Sequence, residues 1–173
     1  RSAKFNGTVL FAGGTTAGLA PHLAAATDGI TADIARDRLT ETYRSMPWRP
    51  ALVGTMKLYF SALAQQDSPS LIHCVAGKDR TGLSVAILHH LLGVHHDDLM
   101  ADYLLTNVAG NIDARIAQGG AHLRQRYAGN ISDEAIRTLM SVDAVYLDAA
   151  LAEIKAKHGS ISAYAETVLD VDA

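Results

Sequence analysis

The chain has 173 residues, 49% of them hydrophobic and 19% charged, with a formal net charge of -3. That is enough apolar material for one cored domain, and the chain shows neither the basic stripe of a nucleic-acid binder nor an apolar window of about 18 residues able to span a membrane. Cys74 is the single cysteine, which excludes an intrachain disulfide and fits a reducing compartment. The first residue is Arg1 and no basic-then-apolar leader is visible, so the expected location is the cytoplasm, or secretion without a visible signal.

Residues 5–20 are rich in Gly and Thr. Thr8-Val9-Leu10-Phe11 reads as a short strand and Gly13-Gly14 as a turn. A helix is predicted from near Thr31, with Asp33 in its first turn, to about Ser45, where Pro47 and Pro50 break the pattern. Val53, Met56, Phe60 and Leu63 recur at helical spacing and predict the next helix, ended by Ser68-Pro69-Ser70. Leu71-Ile72-His73-Cys74 is a short apolar run bounded by turn residues and reads as a buried strand. A helix from Thr81 to about Leu92 carries Leu83, Ala86, Ile87 and Leu91 on one side, with Gly93 placed as its C-cap. The remainder reads as helix over about 95–107, 109–127, 132–140, 143–158 and 160–169. No internal repeat or low-complexity linker interrupts it, so residues 1–173 are taken as one domain. One firm strand and one weak strand cannot pair a buried sheet. Either the fold is mostly helical around a minimal sheet, or strands lying before Arg1 are missing from this chain, and the start at Arg1 favours the second expectation.

Ile72-His73-Cys74-Val75-Ala76-Gly77-Lys78-Asp79-Arg80-Thr81-Gly82 is the most specific segment. A cysteine and an arginine with five residues between them, on a turn leading into a helix, suit sulfur attack on a bound phosphate dianion. The helix N-terminus and inward-turned amides of Val75, Ala76, Gly77, Lys78, Asp79 and Arg80 would favour both thiolate and phosphate. Ala76 and Gly77 are small enough for close wrapping. Arg80 can grip two phosphate oxygens with its planar fork. Thr81 can offer its hydroxyl to the Cys74 sulfur. His73 is expected to be buried behind the loop, either holding loop carbonyls or as an ordinary core histidine.

His73-Cys74-Val75-Ala76-Gly77-Lys78-Asp79-Arg80-Thr81-Gly82 resembles the cysteine-dependent protein tyrosine phosphatases, and more narrowly the bacterial tyrosine/serine phosphatase family that includes tyrosine phosphatase B. Thr42-Tyr43-Arg44-Ser45-Met46-Pro47 is similar to that family's Tyr-Arg-x-x-Pro segment. Ala101-Asp102-Tyr103-Leu104-Leu105-Thr106-Asn107 is similar to its Asp-Tyr-Leu-x-(Ser/Thr)-Asn segment, and Lys157-His158-Gly159-Ser160-Ile161-Ser162-Ala163-Tyr164 to its C-terminal helix pair. The family's Asn-Phe-Arg-Asp-x-Gly and Asp-Leu-Arg strand segments do not occur. The resemblance implies an α/β fold: a parallel sheet flanked by helices, a helix-rich C-terminal part, and a helical lid over residues 108–142. It implies two displacements through a cysteinyl-phosphate, with no metal and no other cofactor. The implied partner is a phosphorylated protein or peptide carrying phosphotyrosine, with phosphoserine, phosphothreonine or a phosphoinositide as further substrates, and no nucleic acid.

In such enzymes a separate aspartic acid protonates the leaving oxygen, and the segment that would carry it is not matched here. Asp79 is the alternative acid, set against a rim carboxylate paired with a basic group. Lys78 either adds charge for a multiply phosphorylated ligand or is solvated at the mouth. His89-His90 and His95-His96 are read as helix termini rather than a metal site, Asp97-Asp98 as a helix N-terminal pair, Asp102 as structural, Arg124 and Arg126 as a solvated face, and Trp48 as edge packing. The competing functions are a lipid-directed phosphatase with the same loop, a module that binds phosphorylated ligands without turnover, and a sulfurtransferase.

Overall fold

A computed structural model describes residues 29–65 and 69–171. The expected strand and turn at residues 8–14 lie outside the described residues. The first helix, α1, spans Ala32–Ser45 and starts where Thr31 turns its side chain to accept from the Ile34 amide at 3.3 Å. A turn of 3-10 helix, Met46–Trp48, places Pro47 at the corner, and α2 follows at Pro50–Gln65. Then come α3 (Asp79–Leu91), α4 (His96–Leu104), the single turn α5 (Thr106–Ala109), α6 (Ile112–Arg126), α7 (Asp133–Met140), α8 (Ala144–His158) and α9 (Ile161–Leu169). Each C-terminal helix begins at a side-chain cap: Ser132 for α7, Asp143 for α8 and Ser160 for α9. A cap of this kind contributes about 1 kcal/mol. Gly93 and Gly159 close α3 and α8 with φ of 78° and 81°, a region that costs glycine nothing.

The helix-rich C-terminal part is as the sequence predicts, and the described residues are short of strands. Among the described residues the only extended pairing outside helices is one parallel bridge between Ile30 and Ile131. Ile30 donates to the Asn130 carbonyl at 2.9 Å and accepts from the Ser132 amide at 3.0 Å.

The amphipathic α1 lies at the centre, packed against α7 and α8. Its buried stripe is Ala35, Leu39 and Tyr43, which meets Ile136, Tyr146 and Leu147 in one core. α9 closes the other side: Tyr164 is fully buried and donates to the Pro47 carbonyl at 2.7 Å, pinning the corner after α1. Trp48 stacks on His158 at 5.5 Å beside that corner, as the edge packing read from the sequence. α6 rests chiefly on α7 and buries only Gly120 fully, and the ion pairs Arg124–Asp133 and Arg137–Asp113 hold it from the exposed side. No described helix is long and apolar enough to cross a membrane.

Four tyrosines give this core a measurable signature. Burial raises Tyr43, Tyr103, Tyr146 and Tyr164 above the ordinary phenol value of 10.0, Tyr146 to about 12. The folded protein therefore keeps these protons in a range where the unfolded chain has lost them. Stability is complete below pH 10 and falls as pH rises past it, by about 1.4 kcal/mol per pH unit for each such phenol. Urea melts between pH 8 and about 11.5 are expected to show this steep alkaline loss; a flat profile would contradict the burial.

Candidate active site

Leu71–Cys74 does not form the predicted buried strand. Leu71 is 84% exposed, His73 is exposed, and Ile72 and Cys74 are half-buried. An apolar run becomes a strand only when its amides and carbonyls are paired laterally, and no described segment pairs with it. His73 is likewise not behind the loop; its Nδ1 lies 3.4 Å from the Cys74 carbonyl oxygen, in solvent. Ser68 lies outside the described residues.

Beyond Cys74 the chain turns sharply. Gly77 has φ of 64°, where a side chain is strained, and α3 starts at Asp79. The first turn closes with the Gly82 amide donating to the Lys78 carbonyl at 2.7 Å. The Cys74 sulfur faces this helix start. Burial pushes its thiol up, but hydrogen bonds from the Thr81 hydroxyl and amide, the Arg80 charge and the Gly77 amide outweigh it, and the thiol sits below the ordinary 9.0. Thr81 Oγ1 is buried without a conventional hydrogen-bond partner. The sulfur is therefore the acceptor left to it, and a thiolate would satisfy it better than a thiol.

Arg80 is half-buried, and no described carboxylate pairs with it. A second guanidinium, from Arg49, stands near it. Burial first and the Arg80 charge second lower Arg49 from its ordinary value, and its Nη2 donates to Ser45 Oγ at 3.1 Å. Arg49 was not singled out in the sequence. The signal available was its position two residues after Pro47, at the end of the Tyr-Arg-x-x-Pro segment.

The arginine half of the loop is anchored by a buried polar network. Lys78 is 3% exposed, so it is neither solvated nor at the mouth. Its ammonium donates to Asp79 Oδ1 at 2.6 Å and to the Ser141 carbonyl at 3.1 Å. Tyr43 donates its hydroxyl to the same Asp79 oxygen at 2.9 Å. With that proton committed, the 2.7 Å contact between Tyr43 and Tyr103 requires Tyr103 to be the donor. The two tyrosines picked out by family-like motifs thus form a relay to the base of α3: Tyr103 donates to Tyr43 across 60 positions, and Tyr43 to Asp79 across 36.

Gly82 makes this approach feasible: a Cβ there would stand 2.8 Å from the Tyr103 ring. Asn107 does a related job at the α7–α8 connection, donating to the Val142 carbonyl at 2.9 Å and accepting from the Val142 amide at 2.8 Å. Asp102 stands beside these residues without joining the network, 3.9 Å from His89. His95 caps α4, with Asp97 and Asp98 in its first turn, while His96 faces Asp148 at 3.5 Å. The four histidines therefore do not converge. Arg124 is spent on Asp133, on the exposed face expected of it.

Likenesses to known proteins bear on this arrangement. Residues 13–173 match the model of a tyrosine phosphatase family. The chain is 36% identical over 137 residues to the "Putative tyrosine-protein phosphatase" of Cupriavidus necator, covering 78% of this chain and 46% of that protein. It is 32% identical over 141 residues to the triple specificity protein phosphatase PtpB of Mycobacterium tuberculosis, covering 76% of this chain and 50% of that one. A tyrosine-protein phosphatase of Nostoc commune is 37% identical over 71 residues, covering 40% of this chain and 24% of its own length. The chain spans about half the length of the first two relatives. With its only thiol facing a helix start and an arginine, and with a family match over nearly its whole length, the chain belongs to the cysteine-dependent tyrosine phosphatase family.

Proposed function

We propose that the chain hydrolyses phosphotyrosine, with phosphoserine, phosphothreonine and phosphoinositides as further substrates, through a cysteinyl-phosphate intermediate, in the manner of the tyrosine phosphatase B branch. The observation that carries the reading is the Cys74 thiol, drawn down by Thr81, Arg80 and Gly77 at the head of α3. Arg80 and the amides of residues 75–80 hold the three non-bridging oxygens. The Cys74 thiolate attacks phosphorus, the S–P bond forms, and the ester P–O bond breaks as its oxygen takes a proton. Water then attacks the same phosphorus, the S–P bond breaks, and the thiolate returns with the Thr81 hydroxyl donating to it. Guanidinium groups at Arg80 and Arg49, neither with a carboxylate partner among the described residues, support a ligand of more than one negative charge. His73, in solvent beside Cys74, is a supporting residue at the rim. Within residues 108–142, α6 has the peripheral position suited to a lid, whereas α7 is packed into the core against α1.

Asp79 is the proposed proton donor. Both of its partners take Oδ1, so the carboxylate that is ionised and paired with Lys78 in the free protein would take up a proton on Oδ2 with the bound substrate and donate it from there. Phosphate release should be measured on a phosphotyrosine peptide, a phosphoserine peptide and a phosphoinositide, with Asp79→Asn in parallel on aryl phosphates. Turnover of the phosphotyrosine peptide is expected. Asp79→Asn is expected to lose about a hundredfold on phenyl phosphate and far less on p-nitrophenyl phosphate, whose leaving group needs little protonation. Equal losses on the two esters would remove Asp79 from the acid role. Tight phosphopeptide binding with no phosphate release from the parent chain would favour the binding-module reading instead.

A further inference from the structure

A carboxylate inside a phosphate-binding loop is an anomaly that needs a physical answer. Asp79 precedes Arg80 directly and opens α3, so its charge stands close to any anion held by the loop. A unit charge about 6 Å from a bound anion, at an effective dielectric of about 20, changes affinity by about a hundredfold. The Asp79 side chain is only 14% exposed, so solvent does little to screen it.

What the structure sets against it is Lys78. That side chain is 3% exposed, the deepest charged group among the described residues, and it spends its ammonium within the protein. One hydrogen bond goes to Asp79 Oδ1 at 2.6 Å and another to the Ser141 carbonyl at 3.1 Å. The Tyr43 hydroxyl supplies a second donor to the same carboxylate oxygen. Buried this way, the ammonium cannot meet a ligand at the mouth.

We propose that Lys78 is an internal counter-charge, cancelling Asp79 so that the loop meets an oxyanion with the Arg80 guanidinium unopposed. Lys78 is then a positioning residue. The Ser141 bond gives it a second hold, tying the loop to the connection between α7 and α8, where Asn107 clamps Val142. The inference rests on the loop being the oxyanion site, and it replaces the reading in which Lys78 recognises extra phosphates.

The test is a charge-cancellation cycle: Lys78→Met, Asp79→Asn and the double variant. Each is read by equilibrium binding of inorganic phosphate and tungstate, and by the pH dependence of Cys74 alkylation. Both readouts are independent of proton donation during turnover, so an acid role for Asp79 does not enter.

Lys78→Met is expected to weaken oxyanion binding by about tenfold to a hundredfold and to move the alkylation midpoint upward. Asp79→Asn alone is expected to bind at least as tightly as the parent. The double variant should return to within about threefold of the parent, because both charges have gone together.

A double variant as weak as Lys78→Met would overturn the inference, since a lysine that touches the ligand cannot be rescued by deleting its neighbour's charge. So would unchanged affinity in a folded Lys78→Met. Should Lys78→Met not fold, the double variant compared with the parent decides: affinity within about threefold supports the counter-charge, and a loss of about tenfold or more refutes it. Should the parent bind no oxyanion at all, the phosphatase reading falls by itself. The alkylation midpoint, raised in Lys78→Met and restored in the double variant, still decides the role of Lys78.

Discussion

Cys74→Ser is expected to abolish turnover while leaving phosphate bound. The serine hydroxyl keeps the shape of the side chain but stays protonated near neutral pH, so nothing in the loop attacks phosphorus. The groups that bind the dianion, the Arg80 guanidinium and the loop amides, are untouched. Loss of a nucleophile in a site that acts as a unit costs at least about 10^4-fold in kcat. The pairing to measure is phosphate release from a phosphotyrosine peptide against the Kd for inorganic phosphate. Release persisting in Cys74→Ser at a tenth of the parent rate or more, an order-of-magnitude threshold of about 0.1, would contradict covalent catalysis. Loss of phosphate binding together with turnover would instead show that the sulfur shapes the loop.

Arg80→Lys carries the second large expectation. A lysine keeps the charge but replaces a planar fork with a point, so two parallel hydrogen bonds become one. Phosphorus passes through a transition state whose equatorial oxygens gather charge, and a single missing donor at such a position costs about 10^2- to 10^3-fold in kcat. Arg80 also helps draw the Cys74 thiol below its ordinary value, and a lysine reaching elsewhere gives some of that back. Both kcat and KM should therefore worsen, and the alkylation midpoint of Cys74 should rise. Lys155→Arg, exposed near the end of α8, serves as the control and should change neither. A folded Arg80→Lys variant with unchanged kcat/KM would remove Arg80 from the site.

The helices were legible because their stop and start residues are local. Ser132, Asp143 and Ser160 each announce a helix, and each accepts from an amide two or three residues on. Gly93 and Gly159 announce ends for an equally local reason. Leu71–Cys74 misled because an apolar run encodes a capacity for burial and says nothing of whether a neighbour exists to pair with it. Its exposure still alternates from residue to residue, exposed at Leu71 and His73 and half-buried at Ile72 and Cys74.

The Cys74–Arg80 relation was legible because six positions of chain fix it. The other half of the site was not, because its parts are distant in sequence. Lys78 looks like any loop lysine until Ser141, 63 residues on, offers its carbonyl. Tyr43 and Tyr103 stood out only as pieces of familiar motifs. What they do, Tyr103 bonding to Tyr43 and Tyr43 to Asp79, follows from how the fold brings α1, α3 and α4 together. Arg49 carried no periodicity and no motif of its own, and only the fold around Pro47 brings it to Arg80.

The lone thiol has a practical consequence. Every equivalent of thiol reagent taken up by the intact chain reports on one residue, so reagent consumed is a direct census of competent molecules in a preparation. Protection by added oxyanion then becomes a titration free of background. The same solitude leaves the chain without a partner thiol to intercept an oxidised Cys74, so peroxide damage there would have to be reversed by a thiol from outside.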